Sequence, residues 1–337
     1  QDCQQIFKNL QPRLTKLLKQ IQSSKNYRQF PNNLIDEKNI YSLADQEKLS
    51  QYIMKLMDYL PDRGRLDTST HPFTTTLGQN DVRITTRYNI HDWRESYTST
   101  IHETGHALYE LGVNPDYYHT PLEGGVSLGI HESQSRFWEN IIGRNPLFLE
   151  FLEPIFKTLF NDSLGSVDSQ TLALLLNKVN PSYIRVEADE VTYNLHIALR
   201  FEIEKDMISG KIQPNDLPEA WKDKMQKYLG ITPRNNRIGV LQDVHWSYGS
   251  IGYFPTYTLG NLYASQFTAK MATEIDIDHS ISNGQLGTIL SWLRTNIHQH
   301  GGLIYPKQLV QQVTGESLNS EYFLRYLEDK YSKLYQL

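Results

Sequence analysis

His102-Glu103-Thr104-Gly105-His106 lies inside a stretch, Asp92 to Leu111, that reads as one helix with Gly112 as its C-cap. On a helix, positions four apart are turned by about 40° and separated by about 6 Å along the axis. His102 and His106 therefore aim two imidazoles at one point, where they can grip a single ion. Glu103 stands at the edge of the same face, within reach of water held there. The pattern is HExxH, in which the histidines bind Zn²⁺ and the glutamate acts as a general base. The bland alternative is a solvated helix face with two incidental histidines. Gly105 counts against it, because glycine inside a helix costs about 1 kcal/mol and makes little sense as pure scaffold.

Zinc chemistry needs a third protein ligand and an open position for water. A third histidine of the HExxHxxGxxH type would fall at position 112, which is Gly112, so that class is excluded. Glu110 lies about 12 Å along the helix from His102, too far for a bond of about 2 Å. A loop bearing Gly124-Gly125 then leads to a second helical stretch, from about His131 to Ile142. Antiparallel return of that stretch brings Glu132 to the histidines, with Glu123 in the loop as runner-up. The competing reading of Glu132 is a carboxylate stabilising a helix N-terminus.

Outward from this centre the chain reads mainly as helix. Ile6, Leu10, Leu14, Leu17 and Ile21 recur at steps of three or four, as do Leu49, Ile53, Leu56 and Leu60 before the stop at Pro61-Asp62-Arg63-Gly64. Val82, Ile84, Tyr88 and Ile90 fall on alternate positions and predict a half-buried strand, with Phe73 to Leu77 as its partner. Further helices are expected over Ala188 to Ser209, Leu259 to Thr273, Ser282 to His298 and Ser320 to Leu334. Asp216-Leu217-Pro218-Glu219 has the spacing of a capping box. There is no repeat and no linker-like segment, so residues 1–337 are expected to form one mainly α domain with a small β-sheet beside the HExxH zinc helix, an arrangement of the gluzincin type.

Composition narrows the function. Of 337 residues, 39% are hydrophobic, enough for a sizeable core. Lys+Arg 33 against Asp+Glu 38 gives a net charge of -5, which argues against general nucleic-acid binding. No run of 18 or more apolar residues predicts a membrane span. Cys3 is the only cysteine; it rules out an internal disulfide framework and a cysteine zinc cage, and fits a reducing, cytoplasmic compartment. The opening QDCQQIFKNL has neither the charged nor the apolar region of a signal peptide, and a start at Gln1 is expected to reflect a missing N-terminal piece.

Six motifs, in order, resemble the carboxypeptidase Taq (thermostable carboxypeptidase 1) family of metallocarboxypeptidases. They are His71-Pro72-Phe73; Asp81-Val82-Arg83-Ile84-Thr85; the HExxH; His131-Glu132-Ser133-Gln134; Ile184-Arg185-Val186-Glu187-Ala188-Asp189; and Gly239-Val240-Leu241-Gln242-Asp243-Val244-His245-Trp246. The resemblance implies one Zn²⁺ per chain on His102, His106 and Glu132, with Co²⁺ as another divalent ion such a site accepts. It implies Glu103 as base and removal of the C-terminal residue from peptides with a free C-terminus, with broad side-chain tolerance. Family members are longer, so the chain is expected to lack roughly the first third, which touches groove closure and a homodimer contact.

The remaining site candidates rest on donor chemistry together with the resemblance, since similar peptidases place a His and a Tyr at the oxyanion step. The stretch from His245 to Tyr257 is dense in hydrogen-bond donors, and His245 and Tyr257 are the candidates to stabilise an oxyanion, with Tyr253 behind them. With 21 tyrosines in the chain, packing is the competing reading for each. A guanidinium suits a substrate carboxylate because it forms paired charged hydrogen bonds, and Arg185 is the candidate that the resemblance implies; the alternative is a salt bridge to Glu187, Asp189 or Asp81. Arg83 is either a second anion contact or a partner of Asp81. His71 lines the site or caps a turn before Pro72. His131 is expected to orient a ligand, and Asp243 to orient His245 or His106. Two further functional classes compete: a zinc oligopeptide endopeptidase, and a metal-binding scaffold without turnover.

Overall fold

The computed structural model describes residues 2–35 and 38–337. Its contacts divide into two compact units, Pro31–Leu176 with Gly260–Asn319, and Gln1–Phe30 with Asn177–Leu259 and Ser320–Leu337.

The first of these carries the sheet and the HExxH helix. Strands β1 (Leu66–Thr68), β2 (Thr74–Gly78) and β3 (Asp81–Thr86) lie in the order β1-β3-β2, β1 parallel to β3 and β2 antiparallel to it. Val82, Ile84 and Thr86 turn to one face and are buried, as period-two alternation requires. Helix Trp93–Leu111 packs on that face and on helix Leu43–Leu56. Its first turn is closed by Asp92, whose carboxylate accepts the Arg94 N–H at 3.0 Å. Its Trp93 stands edge-on to Tyr97 and to Phe156, and the three rings cluster with centroids 4.6–5.8 Å apart.

Several expected boundaries move, each for a local reason. The expected strand does not reach Tyr88 and Ile90: its last rung is Thr68 against Thr86, after which the Ser69 N–H bonds the Thr86 carbonyl and the ladder ends. Ile90 is 42% exposed, and its carbonyl accepts from the Tyr41 N–H in a loop. Leu60 falls beyond helix Leu43–Leu56 and is exposed. The expected helix Ser282 to His298 starts later, at Leu286, and runs to Asn296, and a separate helix, Ile277–Ser282, precedes it. Asn283-Gly284 separates them, with Gly284 left-handed at φ 65°. The helix after the Gly-bearing loop runs Leu128–Arg136 and then widens into a π-helical turn, Phe137–Gly143. Helices Pro146–Leu159, Ser169–Leu176 and Pro306–Thr314 add to the expected set.

In the second unit, helix Asp2–Ser23 packs on Glu190–Ile208 and Glu321–Tyr335. It buries Leu10, Leu14, Leu17 and Ile21 as expected, with Phe7 rather than Ile6 completing the stripe. Arg13 reaches from its flank to Glu321 at 2.6 Å and Glu328 at 2.7 Å. Asp216 does not cap forward; its carboxylate accepts the Gln213 N–H at 2.8 Å, and helix Leu217–Leu229 follows. Among the described residues no helix is long and apolar enough to cross a membrane.

Candidate active site

His102 and His106 leave one face of helix Trp93–Leu111 with ring centroids 4.9 Å apart. Helix Leu128–Arg136 brings Glu132 to them, its Oε2 3.7 Å from Nε2 of His106. One donor atom from each residue falls within a set no wider than 4.8 Å. A tetrahedral ion with bonds of about 2.0–2.2 Å holds its ligands about 3.4 Å apart, so modest closure of this set seats one ion. Two imidazoles and a carboxylate are the donor chemistry of a divalent metal centre. Burial holds the His106 imidazole well below its usual range. A neutral ring keeps its lone pair for a metal, so the approach to Glu132 is not an ion pair.

The two helices come this close because Gly105 has no side chain. A Cβ there would stand 2.8 Å from the Ser135 Cα and 2.9 Å from the Gln134 carbonyl oxygen. Gly105 is therefore scaffold after all, placed for contact between backbones, which corrects the expectation that scaffold alone could not account for it. Behind Glu132 stands Gly260, in helix Pro255–Met271; a Cβ on it would lie 2.6 Å from the Glu132 Cγ.

Glu103 is 7% exposed. The Thr74 hydroxyl on β2 donates to its Oε2 at 2.6 Å, fixing the carboxylate. Burial raises the Glu103 pKa, against the opposing pull of His102 and the Thr74 bond. A carboxylate lifted towards neutrality is a better proton acceptor and donor at working pH.

Each of the three candidate ligands is held from behind. Nδ1 of His102 meets Oε2 of Glu139 at 2.9 Å. Glu139, in the π turn, also accepts from Arg136 at 3.2 Å and Arg144 at 2.9 Å. Burial alone would raise the Glu139 pKa, but Arg136, His102 and Arg144 hold it well below the usual range. Arg136 Nε also donates to Oε1 of Glu132 at 2.7 Å, leaving Oε2 towards the histidines. Nδ1 of His106 meets His131 at 2.6 Å. Such contacts fix ring orientation and raise ligand basicity.

In the other unit, Arg185, Asp243, His245, Tyr253 and Tyr257 gather into one cluster. Asp243 takes Arg185 on Oδ1 at 2.8 Å and Arg200 on Oδ2 at 2.6 Å. The guanidinium of Arg185 lies 4.7 Å over the Tyr257 ring, and its Nη1 donates to the Tyr193 hydroxyl at 3.2 Å. Oε1 of Gln242 accepts from the Arg185 N–H at 2.9 Å and from Arg200 at 2.7 Å. Nε2 of His245 meets the Tyr257 hydroxyl at 3.0 Å, and the Tyr253 ring stands 5.1 Å from the His245 ring. The motif around Gln242-Asp243 is thus a clasp for two buried arginines. Asp243→Asn is expected to destabilise the protein by about 3–5 kcal/mol, because it leaves two buried cations without a counter-charge. Chemical denaturation checks this. Burial pushes the Asp243 pKa up, but Arg200 and Arg185 together hold it below its usual value. Its contribution is therefore present at neutral pH and lost as pH falls through that lowered pKa.

The other sequence candidates have plain positions. Arg83 forks onto Asp81 at 2.9 and 2.8 Å, the second of its two expected roles. His71 is exposed, with Nδ1 2.8 Å from the Pro72 carbonyl oxygen. Glu123, the runner-up ligand, accepts the His119 N–H at 2.8 Å. Asp243 pairs with arginines and has Nδ1 of His245 3.9 Å from its Oδ1, while Nδ1 of His106 meets His131 rather than Asp243. Arg185 pairs with Asp243 rather than with Glu187, Asp189 or Asp81. Thr74, Arg136, Glu139 and Arg144 went unread in the sequence. Only Arg136 carried a signal, standing one helical turn after Glu132.

A mainly helical fold with a small sheet, and an HExxH helix with a glutamate of the next helix beside its two histidines, is an arrangement that suits a metallopeptidase. The description carboxypeptidase Taq (M32) metallopeptidase matches residues 1–331, and the chain belongs to that family. It is 44% identical over 333 residues to thermostable carboxypeptidase 1 of Pyrococcus furiosus, covering 98% of this chain and 66% of that protein. It is 46% identical over 296 residues to thermostable carboxypeptidase 1 of Thermus thermophilus, covering 88% and 58%. The crystal structure of an M32 carboxypeptidase from Deinococcus radiodurans superposes with a TM-score of 0.95 at 37% identity, over 99% of this chain and 67% of that one. The chain thus spans less than two thirds of the length of these curated relatives.

Proposed function

We propose that residues 1–337 act as a zinc-dependent metallocarboxypeptidase catalytic domain, removing the C-terminal residue of peptides with broad side-chain tolerance. The observation that carries this reading is the convergence of His102, His106 and Glu132 beside a buried Glu103. The lone Cys3 supports a reducing, cytoplasmic setting. Bound at the triad, Zn²⁺ would polarise the scissile carbonyl and lower the pKa of water; Co²⁺ suits the same donors. Glu103 takes the proton from the attacking water and returns it to the leaving amine. Thr74 keeps that carboxylate aimed. His245 and Tyr257 are the proposed donors to the developing oxyanion, with Tyr253 packed beside them.

Arg185 is the proposed anchor for the substrate's terminal carboxylate, with Arg83 and His71 as further substrate contacts. What supports the anchor is charge: two buried guanidiniums share one carboxylate, leaving an excess positive charge that an anion can neutralise. Arg185→Ala is expected to raise KM for free-carboxylate peptides by about ten- to hundredfold, the loss of roughly 1.5–3 kcal/mol of charged hydrogen bonding. C-terminally amidated peptides are expected to resist the wild type. Equal cleavage of amidated and free peptides would make the protein an endopeptidase, and an unchanged KM in the variant would move the anchor elsewhere.

A further inference from the structure

His102 backs directly onto a carboxylate. His106 does not. Its Nδ1 lies 2.6 Å from Nδ1 of His131, and Nε2 of His131 lies 2.7 Å from Oε1 of Glu110. Two ring nitrogens facing each other at that distance need one proton between them, since two lone pairs repel and two N–H groups collide. An ion at the three-donor site takes the lone pair on Nε2 of His106, so the neutral ring carries its proton on Nδ1. Nδ1 of His131 must then accept, and its own proton must sit on Nε2. That N–H points at Glu110, whose ionised carboxylate can only accept. The opposite assignment puts the His106 proton on Nε2 and blocks the metal.

Glu110 is itself tied down at its far side. Its Oε1 also accepts from the Gly125 N–H at 3.2 Å, and its Oε2 from the Thr76 hydroxyl on β2 at 3.4 Å. The His131 ring is wedged between His106 and Tyr109, with centroids 4.7 and 5.1 Å away. Thr76 and the Gly124-Gly125 loop therefore fix a carboxylate that reaches the metal centre through one intervening ring.

We propose that Glu110 and His131 form a positioning relay that holds His106 in its metal-binding tautomer, so that Glu110 sets metal affinity without touching the ion. The proposal rests on the metal-centre reading above. Its test uses the full chain, with Zn²⁺ affinity measured by competition against a chromophoric chelator and thermal unfolding of the metal-free protein as control. Glu110→Ala and His131→Phe are each expected to weaken Zn²⁺ binding by about 10–100-fold. Glu110→Gln, which keeps an acceptor for the His131 N–H, is expected to recover most of that loss. The double variant Glu110→Ala/His131→Phe is expected to bind no more weakly than His131→Phe, because Glu110 then has no route to the ligand. Unchanged affinity in the single variants, or additive losses in the double, would overturn the relay. Nitrogen-15 NMR of labelled histidines in the zinc-loaded wild type reads the tautomers without any variant; a proton on Nδ1 of His131 would equally overturn it. A wild type that binds no Zn²⁺ would instead remove the metal-centre reading itself.

Discussion

Glu103→Gln is expected to keep its metal and lose about 10²–10⁴-fold in kcat, the span of general acid–base catalysis. The amide matches the carboxylate in shape and still accepts from the Thr74 hydroxyl 2.6 Å away, so the fold and the ligand triad have no reason to move. What disappears is the capacity to take a proton from water and return it to the amine. KM is expected to change little, because the group acts on the transition state rather than on bound peptide. Metal analysis paired with steady-state kinetics checks the prediction. One zinc per chain together with an unaltered kcat would remove Glu103 from its role and favour a metal-binding scaffold.

Gly260→Val is expected to weaken Zn²⁺ binding by at least about tenfold and to destabilise the protein by about 1–3 kcal/mol. A Cβ at this position would stand 2.6 Å from Cγ and 2.8 Å from Cβ of Glu132, and 3.1 Å from its carbonyl carbon. The last contact is with backbone, which cannot rotate aside. Glu132 or its helix must retreat, and Oε2 leaves the neighbourhood of the histidines. Titration of the metal-free variant with Zn²⁺ reads the first effect, and denaturant unfolding the second. Wild-type affinity would show that Glu132 is not held from behind, and would weaken its standing as the third ligand.

The convergence of His102, His106 and Glu132 was legible because it follows from local rules. Two histidines one turn apart need only a helix, and Glu132 needs only that the next helix return antiparallel. The supports behind the triad were not legible. Glu139 meets His102 from within a π turn, whose extra residue shifts every facing position that a 3.6-residue period would forecast. Distance along the helix sets Glu110 apart as a direct ligand, yet spacing does not show that His131 lies between it and His106. Strand and helix ends erred where tertiary hydrogen bonds, such as that between the Tyr41 N–H and the Ile90 carbonyl, take backbone groups away from a continuing pattern. Asn283-Gly284 is the exception: the dipeptide is a turn signal, and a helix start placed at Ser282 reads straight across it.

Gly105 and Gly260 act on the same distance from opposite sides. One lets the histidine helix settle against its neighbour; the other lets a third helix press on the glutamate. The calibre of the centre is thus set by two missing methyl groups, not by the reach of its ligands. Evolution could retune which divalent ion fits by thickening either wall while every coordinating side chain stayed the same, and a census of ligands alone would see no change.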